Sequence, residues 1–163
     1  IHARSISSAN HPSRDWVKQL HATIQHDIPL GWRICGENLY AEHSIKYDAL
    51  ESYFYGFSLW DGSQCFDWDA TLEWFEMLGI TPVKVITEIP SQLTMKESDL
   101  LDVLHECKRW CHENNHEGFV VRPRGGFAYN DFSDMVGKYV RANHVNTDQH
   151  WMHGEIKPNK LKE

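Results

Sequence analysis

Four short segments of the sequence carry side chains of the types that bind charged or aromatic ligands. Gly36-Glu37-Asn38 ends a predicted strand, where a glycine and an acid contribute little to a core. FYGFSLWD, over residues 54–61, is rich in aromatic rings, and Glu117 opens the segment EGFVVRP. Lys138 and Arg141 bring positive charge to a late segment. Carboxylates accept hydrogen bonds, cationic groups bind anions and aromatic rings stack. Each residue taken singly has an ordinary structural explanation, so the ordered set is the informative feature.

In the first half of the chain, the residues that must position these side chains form two predicted strands between two helices. HPSRDWVKQLHATIQHD, residues 11–27, has the periodicity of an amphipathic helix. Residues 32–37 and 52–61 have the composition of strands, and the second of them is strongly aromatic. Asp69 is predicted to cap a helix over residues 70–78.

The second half of the chain predicts a strand, a longer helix and two final strands. VKVITEI has the residue types of a strand, and Thr94 with Glu97 has the spacing of a capping box. EGFVVRP, residues 117–123, and MVGKYVR, residues 135–141, are predicted strands. Because strands and helices do not alternate strictly, the predicted class is α+β with largely antiparallel sheets. The helix carries one apolar stripe, formed by Leu100, Leu104, Cys107 and Cys111.

Length and composition predict one globular domain spanning residues 1–163, with 41% hydrophobic and 12% aromatic residues. No apolar run approaches the roughly 18 residues of a membrane helix. The net charge of −7 disfavours nucleic-acid binding over the whole surface, because phosphate contacts need cations. Four cysteines without a secretion signal predict reduced thiols and a cytoplasmic location. Basic residues are concentrated in the last third, as Arg122, Arg124, Lys138, Arg141, Lys157, Lys160 and Lys162.

In order and spacing, the four segments resemble motifs of the covalent nucleotidyltransferases, which include DNA ligases, RNA ligases and mRNA capping enzymes. GEN matches the third motif of that superfamily, FYGF its aromatic motif, EGFVVRP its fourth motif and VGKYVR its fifth. The closest resemblance is to ATP-dependent RNA ligases of the branch that seals nicked, base-paired RNA ends. It runs from about residue 2 to about residue 153.

The resemblance implies an α+β nucleotidyltransferase domain, ATP-grasp-like, with mainly antiparallel sheets and flanking helices. Its implied activity is RNA ligation through lysyl-AMP and RNA-adenylate intermediates, in RNA repair. The implied cofactors are ATP, which supplies AMP, and Mg²⁺ or Mn²⁺. The implied partner is RNA with 3′-hydroxyl and 5′-phosphate ends, in a nicked duplex.

The resemblance also implies roles for four residues at the matching motif positions. Glu37 would accept hydrogen bonds from the ribose hydroxyls of AMP. Phe57 would stack on adenine, and base–aromatic stacking contributes about 1–3 kcal/mol. Lys138 would stabilise charge at the α-phosphate, and Glu117 would bind the metal ion. Three neighbours of Phe57 remain open as alternative platforms, namely Tyr53, Phe54 and Tyr55.

Three arginines extend this implied site. Arg4, in HARS, resembles the arginine that follows the nucleophile motif and would contact ribose or phosphate. Arg122 and Arg141 are at positions of phosphate or RNA contact. The fifth motif often carries two lysines separated by one residue, whereas here the second cation is three residues after Lys138. Residues three apart on a strand face opposite sides, so Lys138 is the preferred phosphate ligand.

The nucleophilic lysine of the family stands in a Lys-x-Asp-Gly motif, which these 163 residues lack. Lys46-Tyr47-Asp48-Ala49 comes nearest, but its glycine is replaced and it follows GEN instead of preceding it. We therefore interpret Lys46 as noncatalytic. The expectation is an N-terminally incomplete, inactive fragment whose lysine lies roughly 15–20 residues upstream of Arg4 in the whole protein.

Three other interpretations are compatible with the sequence. A DNA ligase or a capping enzyme shares the same motifs. A noncatalytic nucleotide- or RNA-binding module would also lack the lysine. Thirdly, the segment HECKRWCHENNH contains possible zinc ligands. Two of its cysteines lie on the apolar stripe of the helix, however, and buried thiols behave as small hydrophobic groups. The candidate ligands are His105, Cys107, Cys111, His112 and His116.

Overall fold

The computed structural model describes residues 1–2, 11–42, 45–90, 95–142 and 156–163. Within these ranges the chain forms four α-helices, seven strands and two short 3₁₀ turns. The helices are α1 (Asp15–Ile24), α2 (Trp68–Leu78), α3 (Glu97–Glu113) and α4 (Phe132–Met135). The strands are β1 (Trp32–Asn38), β2 (Phe54–Asp61), β3 (Gln64–Cys65), β4 (Thr81–Pro82), β5 (Gly118–Val121), β6 (Phe127–Ala128) and β7 (Gly137–Val140).

Antiparallel pairing dominates both sheets. The larger sheet has the order β1-β2-β3-β6, and β4 adds to it as a parallel partner of β2. The smaller sheet consists of β5 and β7. The predicted α+β class with largely antiparallel sheets is therefore confirmed for the described residues. Within these residues, no helix has both the length and the apolarity of a membrane span.

Helix α2 packs closely beneath β2, and its contact defines one of two buried clusters. Phe75, Leu78 and Ile80 form this cluster. Gly56 permits the close approach, because a Cβ atom there would lie 2.5 Å from a ring carbon of Phe75. The second cluster consists of Trp60, Cys65 and Phe127.

Helix α2 begins two residues earlier than the sequence pattern predicted. Asp67 is its N-cap, with an extended backbone and a carboxylate that accepts the Ala70 amide at 2.8 Å. Asp69, the predicted cap, lies in the first turn and pairs with Arg124 instead. The prediction of Asp69 as the cap was therefore wrong, because both acids precede the apolar run and only the backbone conformation distinguishes them.

The predicted strand VKVITEI does not form. Pairing with β2 covers only Thr81 and Pro82, and the last bond to that strand runs from the Val83 amide to the Gly56 carbonyl. Beyond it the chain leaves the sheet, with Val85 44% and Ile89 40% exposed. Strand-forming residues need a sheet face to cover them, and within the described part of the chain no such face covers this segment.

Helix α3 differs from its prediction at its N-terminal end. Thr94 lies outside the described residues, and the N-cap is Lys96, whose amide donates to the Asp99 carboxylate at 3.4 Å. The predicted stripe is buried only in its C-terminal half. Leu100 is 39% exposed, whereas Cys107 and Cys111 are buried.

The C-terminal segment, residues 156–163, lies across the segment that joins β1 to β2. Backbone hydrogen bonds join Lys160 to Tyr47 and Leu50 to Lys160, both at 2.9 Å. Asn159 is 2% exposed, and its side-chain amide donates to two backbone carbonyls between residues 39 and 41. No pattern in the sequence predicted this arrangement.

Candidate active site

Glu37 lies near the end of β1, directly opposite Tyr55 of β2. Opposite residues of an antiparallel pair project from the same face, so the carboxylate and the phenol share one side of the sheet. Glu37 is exposed, and the Tyr55 hydroxyl accepts the Glu51 amide at 2.9 Å. Glu37, which was predicted to bind ribose, is thus on an accessible sheet face beside the Tyr55 ring.

A β-bulge singles out Phe57. Cys35 pairs with Ser58 and Gly36 pairs with Gly56, so Phe57 is the extra residue on β2. Bulges redirect a side chain and occur frequently beside active sites. Phe57 is 38% exposed. The bulge therefore leaves a large aromatic ring accessible at the middle of the strand.

The three alternative platforms are all engaged elsewhere. The Tyr53 hydroxyl donates to the Asn159 carbonyl at 3.0 Å. Phe54 packs against the α2 cluster, and the Tyr55 hydroxyl binds a backbone amide. Of these four aromatic residues Phe57 is exposed, whereas the other three are half-buried.

Arg122 connects the end of β5 to the larger sheet. Its guanidinium donates to the Phe57 carbonyl at 2.7 Å and approaches the Cys65 sulfur at 3.8 Å. It also lies 5.8 Å from the ring centroids of Trp68 and Phe127. Burial raises the pKa of the Cys65 thiol, and the Arg122 charge opposes that shift. Arg122, which was predicted to contact phosphate or RNA, thus holds the β-bulge at Phe57.

The β5–β7 register separates the remaining predicted site residues into two groups. The Arg141 amide donates to the Glu117 carbonyl at 2.8 Å, which places these two residues opposite each other at the sheet end. Lys138 is opposite Val120. Since side chains alternate along a strand, Lys138 projects from the other face. Lys138 is exposed, whereas Glu117 and Arg141 are half-buried.

The Tyr47 phenol is affected by charged residues of both sheets. Burial is the largest cause that raises the pKa of its phenol, and the Glu117 and Glu37 carboxylates raise it further. The Arg141 charge acts in the opposite direction. Charged groups of both sheets therefore act on the Tyr47 phenol. Sequence reasoning missed Tyr47, although it is the middle residue of the Lys46-Tyr47-Asp48 triplet.

An aromatic stack extends from Tyr47 towards α3. The His116 ring lies 6.4 Å from the Tyr47 ring and stacks on Trp110 at 4.8 Å. The Lys84 ammonium lies 4.9 Å from the Trp110 ring. His116 directly precedes Glu117, so the stack supports the segment that carries the metal-binding candidate.

We expect His116 to titrate below the ordinary histidine range, and this can be measured by NMR. Burial, then Lys84, then Arg141 lower its pKa. The neutral His116 ring then contributes fully to the free energy of unfolding above about pH 6.5. That contribution is lost as the pH falls through the lowered pKa. Lys84→Gln should move the pKa back towards 6.5, whereas Lys96→Gln, at the other end of α3, should not. Titration of His116 at or above 6.5 in the unaltered chain would contradict this assignment.

Lys46 has the surroundings of a surface lysine. Its ammonium pairs with Asp48 at 3.1 Å, and that hydrogen bond is the largest cause that raises its pKa. A nucleophilic amine needs a lowered pKa, so these surroundings act against catalysis by Lys46. Arg4, the other early candidate, lies outside the described residues.

The cysteines and histidines of α3 do not assemble as metal ligands in the described part of the chain. Burial raises the pKa of the Cys107 and Cys111 thiols, which disfavours the thiolate form that binds zinc. Among the described residues, no group of three or more histidines, cysteines and acids could hold a metal ion.

The RNA ligase family model matches residues 1–140. This match covers most of the chain, and the protein belongs to the RNA ligase family. Neither a curated protein nor a solved structure matches it. The matched range includes Glu37, Phe57, Glu117 and Lys138, and it ends before Arg141.

Proposed function

We propose that this chain is the nucleotide-binding part of an ATP-dependent RNA ligase that joins 3′-hydroxyl and 5′-phosphate RNA ends. Family membership supports ligation of RNA. The observation that carries the finer proposal is that the Tyr47 ring lies 6.4 Å from the His116 ring, next to Glu117, and that the Glu37, Glu117 and Arg141 charges all act on its phenol. Two carboxylates, a guanidinium and an aromatic ring are among the groups needed to hold AMP.

In this proposal Phe57 stacks on adenine and Glu37 accepts hydrogen bonds from the ribose hydroxyls. Lys138 is assigned to the α-phosphate on the motif match, although its side chain projects from the face of the smaller sheet opposite to Glu117 and Arg141. Arg141 lies beside Glu117 and is assigned to charge balance at the site. Arg122 holds the Phe57 bulge and contributes a positive charge towards phosphate.

The donor set suits one hard divalent cation. Mg²⁺ keeps several waters and takes one or two carboxylates together with substrate phosphates. Glu117 is the proposed protein ligand, with Glu37 close to the same phenol. Bound Mg²⁺ or Mn²⁺ would neutralise charge on the phosphate oxygens.

In the proposed reaction, ligation takes place in three steps. A lysine amine forms a P–N bond to the α-phosphorus of ATP as pyrophosphate leaves. The RNA 5′-phosphate displaces the lysine and takes the AMP. The 3′-hydroxyl attacks the 5′-phosphorus, and AMP leaves. The lysine is proposed to lie outside these 163 residues, because none of them stands in a Lys-x-Asp-Gly motif. Nicked duplex RNA would be bound through its backbone and 2′-hydroxyls, since its deep major groove is hard to read.

The test is intact-mass spectrometry of the whole protein after incubation with ATP and Mg²⁺, beside the 163-residue chain. An increase by one AMP, mapped to a lysine of a Lys-x-Asp-Gly motif, would support the proposal. The 163-residue chain should bind ATP and remain unmodified. ATP binding by the whole protein without any adduct would instead favour a noncatalytic binding module. An adduct on Lys46 would overturn the assignment of the nucleophile.

A further inference from the structure

The position of Tyr47 depends on a segment distant in sequence. Its backbone is bonded on both sides to the C-terminal segment. The Tyr47 amide donates to the Asn159 side-chain carbonyl at 2.8 Å, and the Lys160 amide donates to the Tyr47 carbonyl at 2.9 Å. The segment therefore determines where the Tyr47 ring lies.

Asn159 is suited to this task because its side-chain nitrogen and its side-chain oxygen both have hydrogen-bond partners. Its amide donates to the Leu39 carbonyl at 2.8 Å and to the Ala41 carbonyl at 3.3 Å. Its side-chain oxygen accepts from Tyr47, and its backbone carbonyl accepts the Tyr53 hydroxyl. The residue is 2% exposed. A buried amide with this number of partners joins the end of β1, the Tyr47 segment and the start of β2 into one unit.

We propose that Asn159 is a positioning residue that holds the Tyr47 ring beside His116, next to Glu117. The Tyr47 ring lies 6.4 Å from His116, the residue before Glu117, so this position brings the phenol to the site. The family match ends at residue 140, so neither the match nor the motifs assign a role to Asn159. The consequence for nucleotide binding rests on the proposed function. There the Tyr47 hydroxyl would donate a hydrogen bond to the bound nucleotide.

The first experiment follows the Tyr47 phenol without any nucleotide. In protein containing tyrosine labelled with carbon-13 at the ring ζ position, Tyr47→Phe identifies the Tyr47 signal among the six tyrosines. We expect its pKa to be above the ordinary tyrosine value, because burial and the two carboxylates raise it. Asn159→Ala should return the pKa towards the ordinary value. Lys160→Ala is the matched control, since it removes an exposed neighbour and keeps the backbone bond to Tyr47.

An unchanged Tyr47 titration in Asn159→Ala would overturn the proposal. If that variant does not fold, amide hydrogen exchange in the unaltered chain tests the proposed role of Asn159 instead. The Tyr47 amide, bonded to Asn159, should exchange at least about tenfold more slowly than a freely exposed amide. Exchange of the Tyr47 amide at the exposed rate would equally overturn the proposal.

The second experiment measures ATP binding to the whole protein by calorimetry. Tyr47→Phe and Asn159→Ala should each weaken binding about tenfold, the size expected for one hydrogen bond to a charged group. The double variant should bind no more weakly than Tyr47→Phe, because Asn159 acts through Tyr47. Additive losses would count against positioning through Tyr47. Failure of the unaltered protein to bind ATP would refute the proposed function, whereas the titration would still decide the role of Asn159.

Discussion

Glu117→Gln is expected to reduce formation of the protein–AMP adduct at least about 100-fold in the whole protein. Glutamine keeps the size of the side chain but removes the charge that binds a divalent cation, and such electrostatic contributions are typically about 10²–10³ in rate. Glu117 is half-buried at the start of β5, so water replaces its role poorly. The rate is measured by the time course of mass increase at saturating ATP.

Two readouts make the Glu117 result specific. Glu113→Gln changes an exposed acid at the end of α3, four residues earlier, and should leave the rate within about twofold. Glu117→Gln should also lower the pKa of the Tyr47 phenol, because one of the two carboxylates that raise it is removed. Full activity of Glu117→Gln with a lowered Tyr47 pKa would confirm the geometry and refute the metal-binding role.

Lys138→Ala is expected to have the second largest effect, a loss of about 100-fold in adduct formation. Its side chain is exposed, so its charge is accessible to an anion, and the motif match assigns that anion as the α-phosphate. Removing a cation that stabilises developing charge costs about 10²–10³ in rate. Lys138→Arg should recover most of the activity, since it keeps the charge on the same face of β7.

The control for Lys138→Ala is a lysine that lies at the other face of β7. The Lys108 ammonium lies 5.0 Å from the Tyr139 ring, whose side chain projects from the opposite face to Lys138. Lys108→Ala should leave the rate nearly unchanged. Arg141→Gln should change the pKa of Tyr47 and His116, because the Arg141 charge acts on both groups. If Arg141→Gln abolishes adduct formation and Lys138→Ala does not, the phosphate assignment passes to Arg141.

The sequence alone determined the elements with strong local patterns and the order of the motifs. β1, β2, β5, β7 and the body of each long helix lie close to where residue types and spacing predicted them. The family match over residues 1–140 agrees with the resemblance drawn from GEN, FYGF, EGFVVRP and VGKYVR. These features are readable because side chains alternate on a strand and recur every three to four residues on a helix, whatever the rest of the chain does.

Only the tertiary structure decided which of these residues meet. The bulge at Phe57 depends on pairing with β1, and the failure of VKVITEI to form a strand depends on the absence of a sheet face to cover it. The charges that act on Tyr47 come from both sheets, and its amide donates to an asparagine 112 residues away. Periodicity describes faces within one element and contains no information on the partner strand, its register or a contact made across the chain. For this protein, local patterns therefore identified the candidate residues, and long-range packing decided that the charges of Glu37, Glu117 and Arg141 act on one phenol.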